Sequence, residues 1–269
     1  MSRFLATMGE RSRHRAAELA HRRPMQEMRE AALSAPPPRP LGAFGEVFDV
    51  IAEIKPRSPA EGAFAERSGI DLGRSYEAGG AAMISVLTEP SEFGGSIELL
   101  SAVAGAVTIP VLAKDFLTDP IQVYQAREAG ADGVLVIARI LADDGITALL
   151  ETIAECGCFA LLEAFDESDL ARVSEHVSGR TDLLVGVNCR DLDTLQVVPD
   201  RHLDLAGALP EGPVAVAESA IGGPADIERV AAHGYRAALV GSALMRSEEP
   251  ELLVGDLIEA GRGASRVAS

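Results

Sequence analysis

VFDVIAEIK (residues 47–55) is apolar at nearly every position and then ends on Glu53 and Lys55. A half-buried strand alternates apolar and polar residues; a parallel strand covered on both faces does not. This run therefore reads as a strand sunk in a core that carries two opposite charges out at its C-terminal end. Similar runs recur as AMISVL (82–87), IPVLAK (109–114), GVLVIA (133–138), FALLEAF (159–165), LLVGVN (183–188), PVAVAES (213–219) and AALVGS (237–242). Between them lie stretches with helical spacing and charge, such as DPIQVYQAREAGA (119–131) and PADIERVAAHGY (224–235). Several of these close on a glycine after Ala or His, the C-terminal cap pattern. Eight such runs alternating with helices over about 220 residues fit an α/β fold of the (β/α)8 TIM-barrel kind in length and period. A doubly wound open sheet is the alternative, but no GxGxxG or GxxxxGK[ST] follows the first strand.

The residues before the first strand stand apart. RHRAAELAHRRPMQEMREAAL (13–33) has the composition of a helix, and SAPPPRPLG (34–42) is a proline-rich connector that cannot continue one. The expected organisation is an N-terminal helical extension and Pro-rich linker over 1–46, then a barrel catalytic domain over 47–269. Residues 1–40 carry eight Arg against four Glu in a chain of net charge −17. That arm reads either as a solvated basic helix or as one folded onto an acidic body or an anionic ligand. The overall acidity speaks against nucleic acid as a partner. No uninterrupted apolar run of about 18 residues suggests a membrane span, and the N-terminus lacks a signal-peptide core. Three cysteines (Cys156, Cys158, Cys189) without metal-site spacing suit a reduced, cytoplasmic protein.

Of the 24 basic side chains, only Lys55 and Lys114 are lysines. Lys differs from Arg in offering a compact ammonium whose pKa can fall toward neutrality on desolvation, which suits proton transfer. In a barrel the working face lies at the C-terminal strand ends. Glu53 and Lys55, Lys114 and Asp115, Glu163, Asn188 and Arg190, Glu218 and Ser219, and Gly241 and Ser242 all fall there. Residues i and i+2 share a face of a strand, so Glu53 and Lys55 point together. A lone charge at such an end is often a solvated rim residue. Glu163, inside LLEAF, must find a partner or raise its pKa. Acids and bases in one partly dry pocket suit general acid–base chemistry. Asn188 and Arg190 are placed to orient a carboxylate, with backbone capping as the plainer role for Asn188. AESAIGG (217–223) and LVGSALM (239–245) offer small residues suited to a phosphate at the last two strand ends. No His-x-x-x-His, Cys-x-x-Cys or serine elbow occurs, so neither a metal nor an organic cofactor is expected.

AEIKPRSPAEG (52–62), SVLTEPSEFGGS (85–96), PVLAKDFLTDPIQVYQAREAGAD (110–132), LLEAF (161–165), GVNCRDLDT (186–194), AESAI (217–221) and LVGSALMR (239–246) together resemble the indole-3-glycerol phosphate synthase family over almost the full length. The resemblance implies a decarboxylating lyase of tryptophan biosynthesis that closes an indole ring on 1-(2-carboxyphenylamino)-1-deoxyribulose 5-phosphate without a cofactor. It implies Lys114 as the acid of ring closure, Glu163 as the base of dehydration, and Lys55 with Glu53 as a second acid–base pair. Which lysine serves which step stays open at this level. It also implies Asn188 and Arg190 at the anthranilate end and Phe93, Phe116 and Leu135 around the aromatic ring. Ser58, Ser219, Ala220, Gly241 and Ser242 would surround the phosphate and sugar. Three positions depart from the family pattern: Ala220, where Gly is usual; Cys189, where Asn or Ser is commoner; and Phe165, where a polar residue is usual. If the Ala220 position needs positive φ, alanine is penalised there. The implied partner is a small phosphorylated substrate, with the chain a monomer or weak homodimer. The alternatives are a paralogue acting on a modified anthranilate, an isomerase of a related phosphoribosyl anthranilate, for which Cys189 is misplaced, and a non-catalytic phosphate-binding barrel.

Overall fold

The computed structural model describes residues 3–65, 67–191 and 194–268. Leu192 and Asp193 of the GVNCRDLDT segment therefore lie outside the described residues. Eight parallel strands close into a barrel: β1 (Asp49–Ile54), β2 (Met83–Leu87), β3 (Val111–Lys114), β4 (Gly133–Ile137), β5 (Phe159–Ala164), β6 (Leu183–Asn188), β7 (Val214–Glu218) and β8 (Ala237–Val240). Each pairs with its neighbour in sequence, and β8 returns to β1 through Asp49↔Ala237 to Ala52↔Val240. The fold is the (β/α)8 barrel that the apolar runs specify.

Strand parity divides the core in two. Val50, Ala52, Ile84, Val86, Val134 and Val136 face outward into the layer beneath the helices. Ile51, Met83, Leu112, Leu135, Leu161, Leu184, Val216 and Leu239 face inward and fill the barrel. Burying each large side chain of this kind contributes about 1.5–3 kcal/mol. Two residues beyond this plug the same parity reaches Glu53 above Ile51, Lys114 above Leu112, Glu163 above Leu161 and Glu218 above Val216. The charges are thus the top layer of the barrel filling.

The N-terminal arm differs from the expectation of one helix over 13–33. Helix α1 spans Arg3–Arg22 and α2 spans Met25–Ser34. The break falls at Pro24, which has no N–H to donate and disfavours helical backbone at Arg23. Leu5 and Met8 of α1 are buried at the upper rim of the barrel interior. The arm is not a solvated helix: it folds onto the acidic body. Arg11 pairs with Glu92, Arg15 with Asp115, Arg23 with Glu128 and Arg29 with Glu155. Arg39 of the proline-rich connector pairs with Asp132 at 2.8 Å.

The remaining helices follow their strands: α3 (Gly69–Ala78), α4 (Ile97–Ala104), α5 (Pro120–Glu128), α6 (Asp143–Glu155), α7 (Glu167–Val177), α8 (Arg201–Leu205), α9 (Pro224–Ala231), α10 (Ser242–Arg246) and α11 (Pro250–Ala268). Their starts are set by local chemistry. Asp119 accepts from Ile121 N, Gln122 accepts from Asp119 N, and Pro120 opens α5. Asp166 accepts from Asp169 N, and Asp169 accepts back from Phe165 N. These caps fix the chain just past Lys114 and Glu163. A two-residue hairpin, Arg57–Ser58 with Gly62–Ala63, follows β1; the sequence pattern did not show it.

Candidate active site

Both lysines of the chain reach the same carboxylate. Lys55 Nζ lies 3.0 Å from Glu53 Oε1, and Lys114 Nζ lies 3.4 Å from Glu53 Oε2. Lys114 Nζ also donates to Glu218 Oε2 at 2.8 Å. Glu163 accepts from Asn188 Nδ2 at 3.1 Å, and Asn188 Oδ1 accepts from Arg190 N at 2.8 Å. Asn188 thus serves a site carboxylate and caps the backbone at once. Glu53, Lys55, Glu163, Asn188 and Glu218 are all buried, where a charge persists only with partners. Among the described residues no group of three or more His, Cys, Asp or Glu side chains is arranged to hold a metal ion. The cation between Glu53 and Glu218 is the Lys114 ammonium.

Each group is tuned by a nameable cause. Burial opposes the ionised form of Glu53, yet Lys55 and Lys114 outweigh it and bring its pKa below the usual value. Burial by itself would lower Lys114, but Glu218, Glu53 and Glu163 reverse that and hold its pKa above that of an ordinary lysine. The fall toward neutrality expected from desolvation does not occur at Lys114, because three carboxylates win over burial. Glu163 goes the other way. Burial raises its pKa well above the usual carboxyl value, Glu218 adds to the rise, and Lys114 and Asn188 only partly offset it. Glu218 Oε1 is buried without a hydrogen-bond partner among the described residues.

The strand-end loops shape a cavity of about 740 Å³ above this cluster. Every site residue expected from the sequence lines it: Glu53, Lys55, Ser58, Phe93, Lys114, Phe116, Leu135, Glu163, Asn188, Arg190, Ser219, Ala220, Gly241 and Ser242. One wall is apolar. The rings of Phe93 and Phe116 lie 6.1 Å apart at 40°, beside Leu135. Phe4 of the arm meets Phe116 edge-on at 6.2 Å. Arg15 binds Asp115 at 2.5 Å, and Asp115 Oδ1 accepts from Phe116 N. The Glu89 carboxylate accepts from the N–H groups of Ser91, Glu92 and Phe93. The aromatic wall is therefore braced from the arm and from its own loop. The opposite end carries hydroxyls and cations: Ser58, Ser219, Ser242, Lys55, Arg190 and Arg246. Arg190 spends part of its fork on the Leu195 carbonyl, at 2.8 Å.

The comparisons agree with this geometry. A family model described as indole-3-glycerol phosphate synthase matches residues 5–257. The chain belongs to the indole-3-glycerol phosphate synthase family. Among its relatives, a protein of that name from Nocardioides sp. (strain ATCC BAA-499 / JS614) is 44% identical over 230 residues, covering 84% of this chain and 87% of its own. One from Mycobacterium sp. (strain KMS) is 41% identical over 240 residues, covering 88% and 87%. Of solved structures, 3-hexulose-6-phosphate synthase from Salmonella typhimurium aligns at a TM-score of 0.63 with 14% identity, over 81% of this chain and 100% of that one. Orotidine 5'-phosphate decarboxylase from Pyrococcus horikoshii OT3 aligns at 0.60 with 15% identity, over 80% and 99%. These two likenesses are of fold.

The family departures can be placed. Ala220 has φ +58 and follows Ser219 at φ +65. Left-handed backbone costs a non-glycine residue about 1–2 kcal/mol, so the alanine is strained as its position suggested. Ala220→Gly is expected to stabilise the protein by roughly 0.5–1 kcal/mol after the added freedom of the unfolded chain is subtracted. A thermal melt checks this, and a lower midpoint in the glycine variant contradicts it. Cys189 is buried, and its N–H donates to Glu218 O at 3.0 Å, so it ties β6 to β7 through its backbone. His202 Nε2 is 3.1 Å from the carbonyl oxygens of Val187 and Glu218. Both partners are acceptors, so Nε2 carries the proton; burial lowers the pKa of the ring. Phe165 lies under the Arg139 guanidinium at 5.0 Å, outside the cavity lining.

Two glycines of the family site make room for its carboxylates. A Cβ at Gly241 would stand 2.2 Å from Glu53 Oε1, and one at Gly186 would stand 2.1 Å from Glu218 Oε1. Gly241→Ala must therefore push Glu53 away from Lys55. We expect kcat/KM to fall about 100-fold, the scale of a misplacement near 1 Å, in a protein that still melts cooperatively. An unchanged kcat/KM in an indole-fluorescence assay sinks this reading of Gly241. Glu218 is a strand-end polar residue in the sequence but was not among the expected site residues. Its parity with Val216 is the signal that places it at the heart of the cluster.

Proposed function

We propose that Lys114, Glu163, Lys55 and Glu53, with Asn188 and Arg190, carry the indole-3-glycerol phosphate synthase reaction in this chain. As a member of the family, the chain is a carbon–carbon lyase of tryptophan biosynthesis. It converts 1-(2-carboxyphenylamino)-1-deoxyribulose 5-phosphate to indole-3-glycerol phosphate, CO2 and water. The observation that carries the residue roles is Lys114, held as an ammonium between Glu53 and Glu218 at the floor of a cavity with one aromatic wall and one cationic end. The anthranilate ring fits the Phe93, Phe116 and Leu135 wall. The phosphate fits the end with Ser58, Ser219, Ala220, Gly241 and Ser242. That leaves the ketone over the lysines.

In the first step the ring carbon bearing the carboxylate attacks the ketone carbon. The carbonyl electrons move to oxygen, where the Lys114 ammonium meets the growing charge. Its raised pKa keeps the proton in place until an alkoxide, a stronger base, forms beside it. CO2 then departs, leaving its bonding electrons to restore the aromatic ring. In the second step the hydroxyl leaves as water, taking a proton from Lys55, whose ammonium lies 3.0 Å from Glu53 Oε1. A base takes a proton from the methylene next to nitrogen, completing the indole. Glu163 suits that role because burial makes its carboxylate a stronger base than one in water. Asn188 holds the anthranilate end, while Arg190, expected there from the family resemblance, lies 3.8 Å from Glu61 at the cationic end and steadies its own loop through the Leu195 carbonyl.

This reading treats 47–269 as the catalytic barrel and 1–46 as its appended arm, in a monomer or weak homodimer with no nucleic-acid partner. The cysteines are buried and unpaired, which suits the reducing cytoplasm. Among the described residues no helix is long and apolar enough to cross a membrane. Incubation with the carboxyphenylamino sugar phosphate tests the function: indole fluorescence should rise, and no rise with folded protein would refute it.

A further inference from the structure

The cationic end of the cavity already holds an anion, and it belongs to this chain. Glu61 follows the Ser58–Pro59 step on the segment between β1 and α3. Its Oε1 accepts from Ser242 Oγ at 2.8 Å and lies 3.8 Å from Arg190 Nη2. Its Oε2 is bridged to Arg246. Ser242 Oγ in turn accepts from Lys55 Nζ at 3.3 Å. One carboxylate thus draws on the hydroxyl and guanidinium groups that a phosphate monoester would seek at this end. A phosphate carrying up to two negative charges cannot share those partners with an adjacent carboxylate without repulsion.

We propose that Glu61 is an internal competitor for the substrate's phosphate, which binds by displacing it from Ser242, Arg246 and Arg190. The proposal rests on the assignment of this end of the cavity to phosphate. The local backbone allows such a movement. Beyond the buried Ser58, the tip of the segment is open: Gly62 and Ala63 are exposed, and Gly62 has φ +76 with nothing within 4 Å of where a Cβ would sit. The base of the segment is held by Arg57, whose N–H and guanidinium donate to the carbonyls of Phe93, Glu92 and Ser91, and by Phe64 N on Pro56 O; the tip itself is held by the pairing of Arg57–Ser58 with Gly62–Ala63 and by the contacts of Glu61. Swinging it outward removes little buried surface. The apparent affinity for phosphate is then reduced by the fraction of free enzyme in which Glu61 is away from the subsite. Glu61 also adds selectivity, since a weak anion cannot displace a carboxylate that is already in place.

The test is calorimetric titration of inorganic phosphate into the wild type, Glu61→Gln and Glu61→Ala, with thermal melts to confirm folding. Substrate KM is measured in parallel. The glutamine keeps an acceptor for Ser242 but removes the charge; the alanine removes both. The dissociation constant for phosphate is expected to fall about fivefold or more in both variants, with KM falling alongside. An unchanged or raised constant in both variants means that Glu61 organises the subsite instead, and overturns the proposal while leaving the reaction assignment standing. Phosphate that binds without competing against substrate overturns both the proposal and the assignment of this end of the cavity.

Discussion

Lys114→Ala is expected to lower kcat by about 1,000-fold or more while the chain still folds, because it removes the cation that lies between Glu53 and Glu218 and that the proposed reaction sets against the ketone. Lys114→Arg keeps the charge but does not rescue the rate. A guanidinium is larger, planar and never deprotonated, so it cannot pass a proton to the alkoxide. Stability should change as well. Without the ammonium, Glu53, Glu163 and Glu218 face one another with only Lys55 and Asn188 to help. The folded-state pKa values of Glu53 and Glu163 then rise, because burial raises both and Lys114 no longer offsets it. A carboxyl with a raised folded pKa contributes stability below its unfolded pKa and loses it as pH climbs through the folded one. The deficit of Lys114→Ala relative to wild type therefore grows with pH, and melts at pH 5 and pH 8 measure it. A variant with near-normal turnover, or with a deficit that shrinks as pH rises, contradicts this account of the cluster.

Glu163→Gln gives the second large effect, a loss in kcat of about 100- to 1,000-fold confined to the late step. The pH dependence follows from the raised pKa of the wild-type group. As the base of the late step, Glu163 works ionised, so kcat falls on the acid side, at a pH above the ordinary carboxyl range. In the glutamine variant this acid limb is lost. The same shift predicts an opposite change in stability. Ionised Glu163 is unfavourable in its buried place, so the wild type loses stability as pH rises through the folded-state pKa. Glutamine has no charge to bury and still accepts from Asn188. Glu163→Gln should match the wild type near pH 4 and melt higher at pH 8. A lower midpoint at pH 8, or an acid limb that survives the substitution, would place the base elsewhere.

Which parts of this arrangement the sequence made legible has a physical pattern. The strands were legible because a doubly buried strand is apolar at nearly every position, as in GVLVIA. The site was legible because strand parity is a local rule: Ile51, Glu53 and Lys55 must share a face wherever the barrel closes. The arm was read less well. Composition located helix near residues 13–33, but its extension back through Met8 and Leu5 depends on those side chains finding the barrel rim, a long-range contact. Lys114 shows the same limit. Its burial was foreseeable, whereas its raised pKa depends on Glu218, which approaches from β7 across a sequence separation of 104 residues. Glu61 left no signal in the pattern, since the partners of a loop carboxylate are set by the path of the loop.

In the proposed reaction one cluster divides two chemical steps, with Lys114 serving ring closure and Glu163 serving dehydration. A single-turnover experiment that follows CO2 release and indole fluorescence together tests it most directly. Lys114→Ala should suppress both signals, because no carboxylate leaves until the ring has closed. Glu163→Gln should release CO2 at close to the wild-type rate and delay the fluorescence, as the hydroxylated intermediate accumulates. Equal slowing of CO2 and fluorescence in Glu163→Gln, or CO2 release persisting in Lys114→Ala, would contradict that division.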